Sequence, residues 1–377
     1  MATNTTSASN PLLALAACGQ SVWLDNISRD LIESGELLRL IEDDGLAGVT
    51  SNPAIFEKAI AQGTQYRRLL GALRGTGLTP KAVYETLAIT DIQDAADRFA
   101  GVYNASQRRD GYVSLEVAPD LAHDSAGTLH EARRLWGQLS RPNVMIKVPA
   151  TQAGLVAIEA LIADGINVNV TLLFACDTYA QVAQAFLHGL ERRHAQGGAL
   201  DHVASVASFF ISRIDASMDA LIEERMTTLN PERAAALGAL RGTVAIANAK
   251  LAYQHFRDTI AAPRWQALAA HGAQPQRLLW ASTGTKNPHY RDVLYVEALI
   301  GAQTVNTIPP ATLDAFRDHG TAVPRLGDGL VQARAALDSL ESFGLSLTTV
   351  TDRLLVEGVQ LFADAFVKLI TQIQSKT

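Results

Sequence analysis

Two patterns of apolar and polar positions alternate along this chain. Short apolar runs recur at Ser21–Asp25, Ala47–Ser51, Tyr112–Val117, Asn143–Val148, Ile166–Phe174, Val203–Ile211, Arg277–Ser282 and Thr304–Ile308. Each has the length of a strand, and the lack of a polar face predicts burial on both sides, as in a parallel sheet. Between them, Ser34–Glu42, Ser125–Leu139, Gly154–Asp164 and Thr178–Arg193 carry apolar residues every three to four positions, the period of an amphipathic helix. Eight strand–helix units over 377 residues predict an α/β fold built as a single closed (β/α)8 TIM barrel. No Gly-x-Gly-x-x-Gly follows the first strand, which argues against an open dinucleotide-binding sheet.

Two connections, Pro53 to Asp110 and Asp215 to Gln276, are long enough for extra helices. Near the end, Val350, Leu354, Leu355, Val359, Phe362, Phe366, Leu369 and Ile373 repeat at helical spacing within Thr349–Ile373. This predicts a C-terminal helix, with two placements open: against the barrel's outside, or as a lid over its mouth. Residues 1–20 read as a tail plus a leading helix, and 21–377 as the barrel domain including the C-terminal helix. The first ten residues are rich in Ser, Thr and Asn, the composition of a disordered end. Leu12–Cys18 is apolar but too short to span a bilayer and has no basic region before it.

Composition narrows the function classes. Hydrophobic residues make up 48% and charged residues 19%, a globular balance. The net charge of -6 comes without a basic block, so neither nucleic acid nor a membrane is an expected partner. Cys18 and Cys176 lack a CxxC context, which fits a reducing, cytoplasmic location and no disulfide framework. His123, His188 and His319 lack metal-ligand spacing, so no metal and no cofactor are expected. Monomer and homodimer both remain open.

Active sites of such barrels lie at the C-terminal ends of the strands. There the chain offers Asp25; Thr50, Ser51 and Asn52; Ser114 and Glu116; Lys147; Asn167, Asn169 and Thr171; Ser208, Phe210 and Arg213; and Ser282 through Lys286. Lys147 lies inside the β-branched, apolar run Asn143–Val148. Burying an ammonium is costly, and desolvation is also how a lysine is prepared as a Schiff-base nucleophile. Each polar residue also has a plainer reading. Lys147 could reach solvent along its stem, Asp25 or Asn52 could cap the next helix, Asn169 and Thr171 could satisfy each other, and Arg213 could pair with Asp215 or Asp219. Seven consecutive strands ending in polar groups, with one lysine among two carboxylates, point instead to amine catalysis on a ketone. Lys147 would form an iminium, Asp25 and Glu116 would move protons, and Arg213 with Ser282 and Lys286 would suit a phosphate.

These segments resemble the transaldolases. The resemblance is carried by Trp23-Leu24-Asp25, Gly48-Val49-Thr50-Ser51-Asn52-Pro53, Val113-Ser114-Leu115-Glu116-Val117, Val144-Met145-Ile146-Lys147-Val148-Pro149-Ala150-Thr151, Ile166-Asn167-Val168-Asn169-Val170-Thr171-Leu172 and Ser208-Phe209-Phe210-Ile211-Ser212-Arg213. Glu357-Gly358-Val359-x-x-Phe362 is similar to that family's last helix, and the length fits its longer bacterial and plant-type subgroup. The resemblance implies that Lys147 is the Schiff-base lysine and Asp25 the acid/base in carbon–carbon cleavage. Glu116, helped by Thr171, would relay protons through a water. Asn52 and Asn169 would hold dihydroxyacetone hydroxyls, with Ser208 and Phe210 lining the substrate site, and Arg213 and Ser282 would bind phosphate. The substrates implied are sugar phosphates. A dihydroxyacetone unit would pass from sedoheptulose 7-phosphate to glyceraldehyde 3-phosphate in the non-oxidative pentose phosphate pathway. One departure stands out: the commoner form has Ala-Ser-Phe-Arg at the seventh strand, whereas this chain has Ala281-Ser282-Thr283-Gly284-Thr285-Lys286. Lys286 is the expected substitute for the second arginine, with Thr283 or Thr285 as alternatives. Rival functions are an aldolase releasing free dihydroxyacetone, a sugar-phosphate sensor and a metal-dependent barrel enzyme.

Overall fold

The computed structural model describes residues 10–376. Eight strands close into a barrel in sequence order, every neighbouring pair parallel. They are β1 (Gln20–Leu24), β2 (Gly48–Val49), β3 (Tyr112–Glu116), β4 (Val144–Pro149), β5 (Val168–Leu173), β6 (Ser205–Phe210), β7 (Arg277–Ala281) and β8 (Thr304–Ile308). All eight predicted runs contain a strand, trimmed where Ile166, Asn167 and Val203 join the preceding turns. A helix at Pro11–Ala17 leads into β1, and the Ser/Thr/Asn-rich segment before residue 10 lies outside the described residues.

Alternation along the strands fills the barrel in layers. Trp23 occupies the lumen, and Gly48 makes room for it: a Cβ at residue 48 would meet the indole at 2.7 Å. Below it Asp110 accepts hydrogen bonds from Ser21 Oγ (2.8 Å), Trp23 Nε1 (3.2 Å) and Arg277 (2.9 Å), sealing the N-terminal end. The same inward phase carries Asp25, Thr50, Glu116, Lys147 and Asn169 to the other end.

Both long connections are helical. Pro53–Gln62, Thr64–Leu73, Pro80–Arg98 and Ala100–Ala105 precede β3, and Ser212–Met226, Pro231–Gly238, Val244–Ala261 and Pro263–Ala269 precede β7. The last helix, Leu347–Lys376, packs on Pro53–Gln62, Pro80–Arg98, Ser212–Met226 and β5. Its buried stripe of Val350, Leu354, Gly358, Phe362, Leu369 and Ile373 crosses the C-terminal mouth, so the lid placement holds. Gly358 marks the closest approach: a Cβ there would meet Leu172 Cδ2 at 2.8 Å. No helix among the described residues is long and apolar enough to cross a membrane.

Candidate active site

Lys147 is buried inside β4, and its Nζ donates to the Ser51 carbonyl at 3.1 Å. Glu116 Oε2 lies 3.9 Å away, and the Phe362 ring centroid lies 6.0 Å away. The strand register produces this cluster, since Glu116 is the Cα partner of Lys147, and Lys147 that of Asn169. Three neighbouring strands therefore present a carboxyl, an amine and an amide side by side. The lysine does not snorkel, because its side chain is only 5% exposed and Phe362 closes the mouth above it.

Desolvation shapes the two carboxyls. Burial pushes Glu116 up to about 7 against the attraction of Lys147, with Asp25 adding to the rise. Burial likewise raises Asp25 above the usual carboxylate range, opposed by Lys147, by a Thr50 Oγ1 bond at 2.8 Å, and by Lys286 and Arg213. Thr50 is itself bonded at 2.7 Å to Thr307 of β8, on the other side of β1. Glu116 Oε2 and Thr171 Oγ1 are buried without a hydrogen-bond partner among the described residues. A buried carboxylate oxygen and hydroxyl left unpaired at one mouth suit a bridging water or a substrate hydroxyl.

Asn169 does not pair with Thr171. Its Nδ2 donates to Ser114 Oγ at 3.0 Å and its Oδ1 accepts from Ser208 Oγ at 2.7 Å, a chain joining β3, β5 and β6. Asn167, just before β5, is used up at the N-terminal end of the strands, donating to the Pro142 and Val144 carbonyls and accepting from Ala204 N–H. Asn52 does cap the following helix, accepting from Ile55 N–H at 3.0 Å. It also lines, with Asp25, Ser28, Ile55, Lys58 and Pro310, an open groove of about 460 Å³ beside the mouth.

At the far side, the Arg213 guanidinium lies over the Phe210 ring at 5.6 Å, and Phe210 packs on Phe174 at 5.1 Å. Among the described residues Arg213 has no carboxylate partner within 4 Å; Asp215 and Asp219 are committed instead to Tyr295 and Tyr290. Ser282 Oγ lies 3.0 Å from Ser212 Oγ and its backbone is left-handed, at φ 57°. Lys286 is exposed on the loop beyond it. Thr283 is no phosphate ligand, because its buried Oγ1 donates to Asn306 at 2.9 Å.

The chain matches the family model described as Transaldolase/Fructose-6-phosphate aldolase over residues 22–373. It belongs to that family. It is 48% identical over 371 residues to "Transaldolase 2" of Nostoc sp., covering 97% of each chain. It is 46% identical over 370 residues to "Transaldolase" of Trichodesmium erythraeum, again over 97% of each chain. "Transaldolase" of Thiobacillus denitrificans is 47% identical over 355 residues, covering 94% of this chain and 97% of the relative.

For this member of the transaldolase/fructose-6-phosphate aldolase family, the geometry adds four groups to the expected site. Thr50 and the Ser51 carbonyl hold Asp25 and Lys147, Ser114 holds Asn169, and Phe362 roofs the amine. Thr50 and Ser114 were legible as inward-phase hydroxyls next to the carboxyls. Phe362 stood out only through its apolar helical period and the Glu357-Gly358-Val359-x-x-Phe362 pattern, neither of which signals contact with the amine. Among the described residues no group of three or more His, Cys, Asp or Glu could hold a metal ion. Cys18 and Cys176 are unpaired, and burial pushes the Cys176 thiol up to about 12.

Proposed function

We propose that this transaldolase moves a dihydroxyacetone unit between sugar phosphates through a Schiff base on Lys147. The single observation that supports this best is a buried amine 3.9 Å from a carboxyl held near neutrality. The amine attacks the ketose C2 carbonyl, and the resulting carbinolamine must lose its hydroxyl as water. Glu116, at about 7, supplies and recovers the protons of that step near neutral pH, assisted by Thr171, whose buried Oγ1 has no hydrogen-bond partner among the described residues. The iminium then accepts the electron pair of the C3–C4 bond as that bond breaks. Asp25 takes the proton from the C4 hydroxyl, and the aldose phosphate leaves. The enamine stays on Lys147 until an acceptor aldehyde enters and the steps reverse.

In this reading sedoheptulose 7-phosphate is the donor and glyceraldehyde 3-phosphate the acceptor, giving erythrose 4-phosphate and fructose 6-phosphate. Asn52, Asn169 and Ser208 hold the three-carbon unit, Phe210 walls it, and Arg213, Ser282 and Lys286 receive the phosphate. Reduction with borohydride in fructose 6-phosphate, followed by peptide mapping, tests it. A dihydroxyacetone-sized adduct on Lys147 is expected, absent in a folded Lys147→Arg protein. An adduct on another residue, or full turnover by Lys147→Arg, would end this reading. Turnover that does not require an acceptor would make the enzyme an aldolase.

A further inference from the structure

Lys286 sits on the connection that leaves β7, and little fastens that connection. Among the described residues, the side-chain bonds that residues 284–292 make to other elements are Tyr290 to Asp219, Arg291 to Glu297 in the short helix Leu294–Ala298 of the same connection, and the exposed Asp292–His319 pair; only the first reaches the Arg213 helix. A depression of about 220 Å³, lined by Lys286, Asn287 and Tyr290 on one side and by Ser212, Ala216 and Asp219 on the other, separates loop from helix. Packing therefore does not hold the loop at that point; hydrogen bonding does. Tyr290 Oη donates to Asp219 Oδ2 at 2.6 Å, and the other oxygen of the same carboxylate accepts from Gly242 N–H at 3.0 Å. Gly242 lies directly under the phenol: it has φ +69°, and a Cβ there would meet Tyr290 Cζ at 2.8 Å. Asp219 belongs to Ser212–Met226, the helix that carries Arg213.

We infer that Tyr290 is a positioning residue: its bond to Asp219 fixes the Lys286 loop to the Arg213 helix, so that both cations meet one phosphate. The inference rests on the phosphate role proposed above for Lys286. It assigns Tyr290 and Gly242 a part in phosphate affinity and none in the chemistry at Lys147.

The test measures half-saturating concentrations for borohydride trapping with fructose 6-phosphate and, separately, with unphosphorylated dihydroxyacetone. Lys286→Ala, Tyr290→Phe and the double variant are compared, with Gly242→Ala as a second way of displacing the phenol. Loss of one hydrogen bond of this kind predicts about a fivefold rise for fructose 6-phosphate in Tyr290→Phe. Dihydroxyacetone should be unaffected, and the double variant should be no worse than Lys286→Ala alone. Equal shifts for both substrates, or effects that multiply in the double variant, overturn the inference. Should Lys286→Ala act while both Tyr290→Phe and Gly242→Ala are silent, the latch alone falls. A silent Lys286→Ala removes the phosphate role itself.

Discussion

Glu116→Gln separates what the site costs from what it does. Burial raises this carboxyl from 4.5 to about 7. At 1.36 kcal/mol for each pKa unit, keeping it ionised in the native state costs about 3 kcal/mol. The native protein binds this proton more tightly than the unfolded chain does. Stability therefore falls as pH rises from about 4.5 to about 7, and above that the whole cost is present. Glutamine imitates the protonated form, so the variant should match the wild type near about pH 4.5 and exceed it by up to about 3 kcal/mol near about pH 8. Urea unfolding midpoints across this range, with the slope unchanged, measure the difference. The same variant should form the imine more slowly, read by rapid quench into borohydride. A stability difference that is flat with pH, or that grows towards acid, would refute the electrostatic reasoning.

Asp25→Ala should slow fructose 6-phosphate cleavage by about a hundredfold or more, while borohydride trapping at Lys147 persists. Trapping lost in a folded variant would remove Asp25 from its acid/base role. Asn52→Ala should cost about 1 kcal/mol through the lost helix cap, whereas Asn52→Ser keeps an acceptor for Ile55 N–H. If Asn52→Ser is as stable as the wild type but turns over slowly, the amide holds substrate; normal turnover would leave it only a cap. Phe362→Ala should destabilise by about 3 kcal/mol, because the ring is buried, and should open Lys147 to water. An unchanged rate of Lys147 modification by an amine reagent would show that Phe362 does not roof it.

The barrel was legible because its strands are buried on both faces and so read as short, mostly apolar runs, broken by polar residues such as those of the site. β2 is only Gly48–Val49, too short for any periodicity, and was legible only as the brief apolar run Ala47–Ser51 in the series of eight. The inward phase of Asp25, Glu116, Lys147 and Asn169 follows from period-two geometry, so their convergence was legible as well. Hydrogen-bond partnership was not. Whether Asn169 bonds Thr171 or Ser208 depends on the stagger between β5 and β6, which slips between Val170 and Leu173. The lid placement was equally hidden, because a helix covering a mouth and one covering a barrel wall show the same stripe. The Tyr290–Asp219 tie joins residues 71 positions apart and has no local signature.

The Asp110 cluster at one end of the barrel and the Glu116–Thr171 region at the other treat their polar groups differently, and this bears on where the protein tolerates change. At the N-terminal end both oxygens of Asp110 are bonded, and Asn167 is satisfied at its amide nitrogen and its carbonyl. At the C-terminal end Glu116 Oε2, facing Lys147 at 3.9 Å, and Thr171 Oγ1 have no hydrogen-bond partner among the described residues. Leu172 at φ 58° and Ser282 at φ 57° are left-handed there, as are Gln107, Arg108, Ser140 and Gln303 in the turns that lead into strands at the other end. Each such backbone position costs on the order of 1–3 kcal/mol and persists only where its surroundings over-determine it. At Leu172 those surroundings are the register slip and Gly358 of the lid; at Ser282 they are Ser212, bonded through both backbone and side chain. Relieving strain or burial at this end should therefore raise stability while lowering turnover, as argued for Glu116. Breaking the Asp110 cluster should lower stability and leave the Lys147 chemistry intact in whatever fraction remains folded.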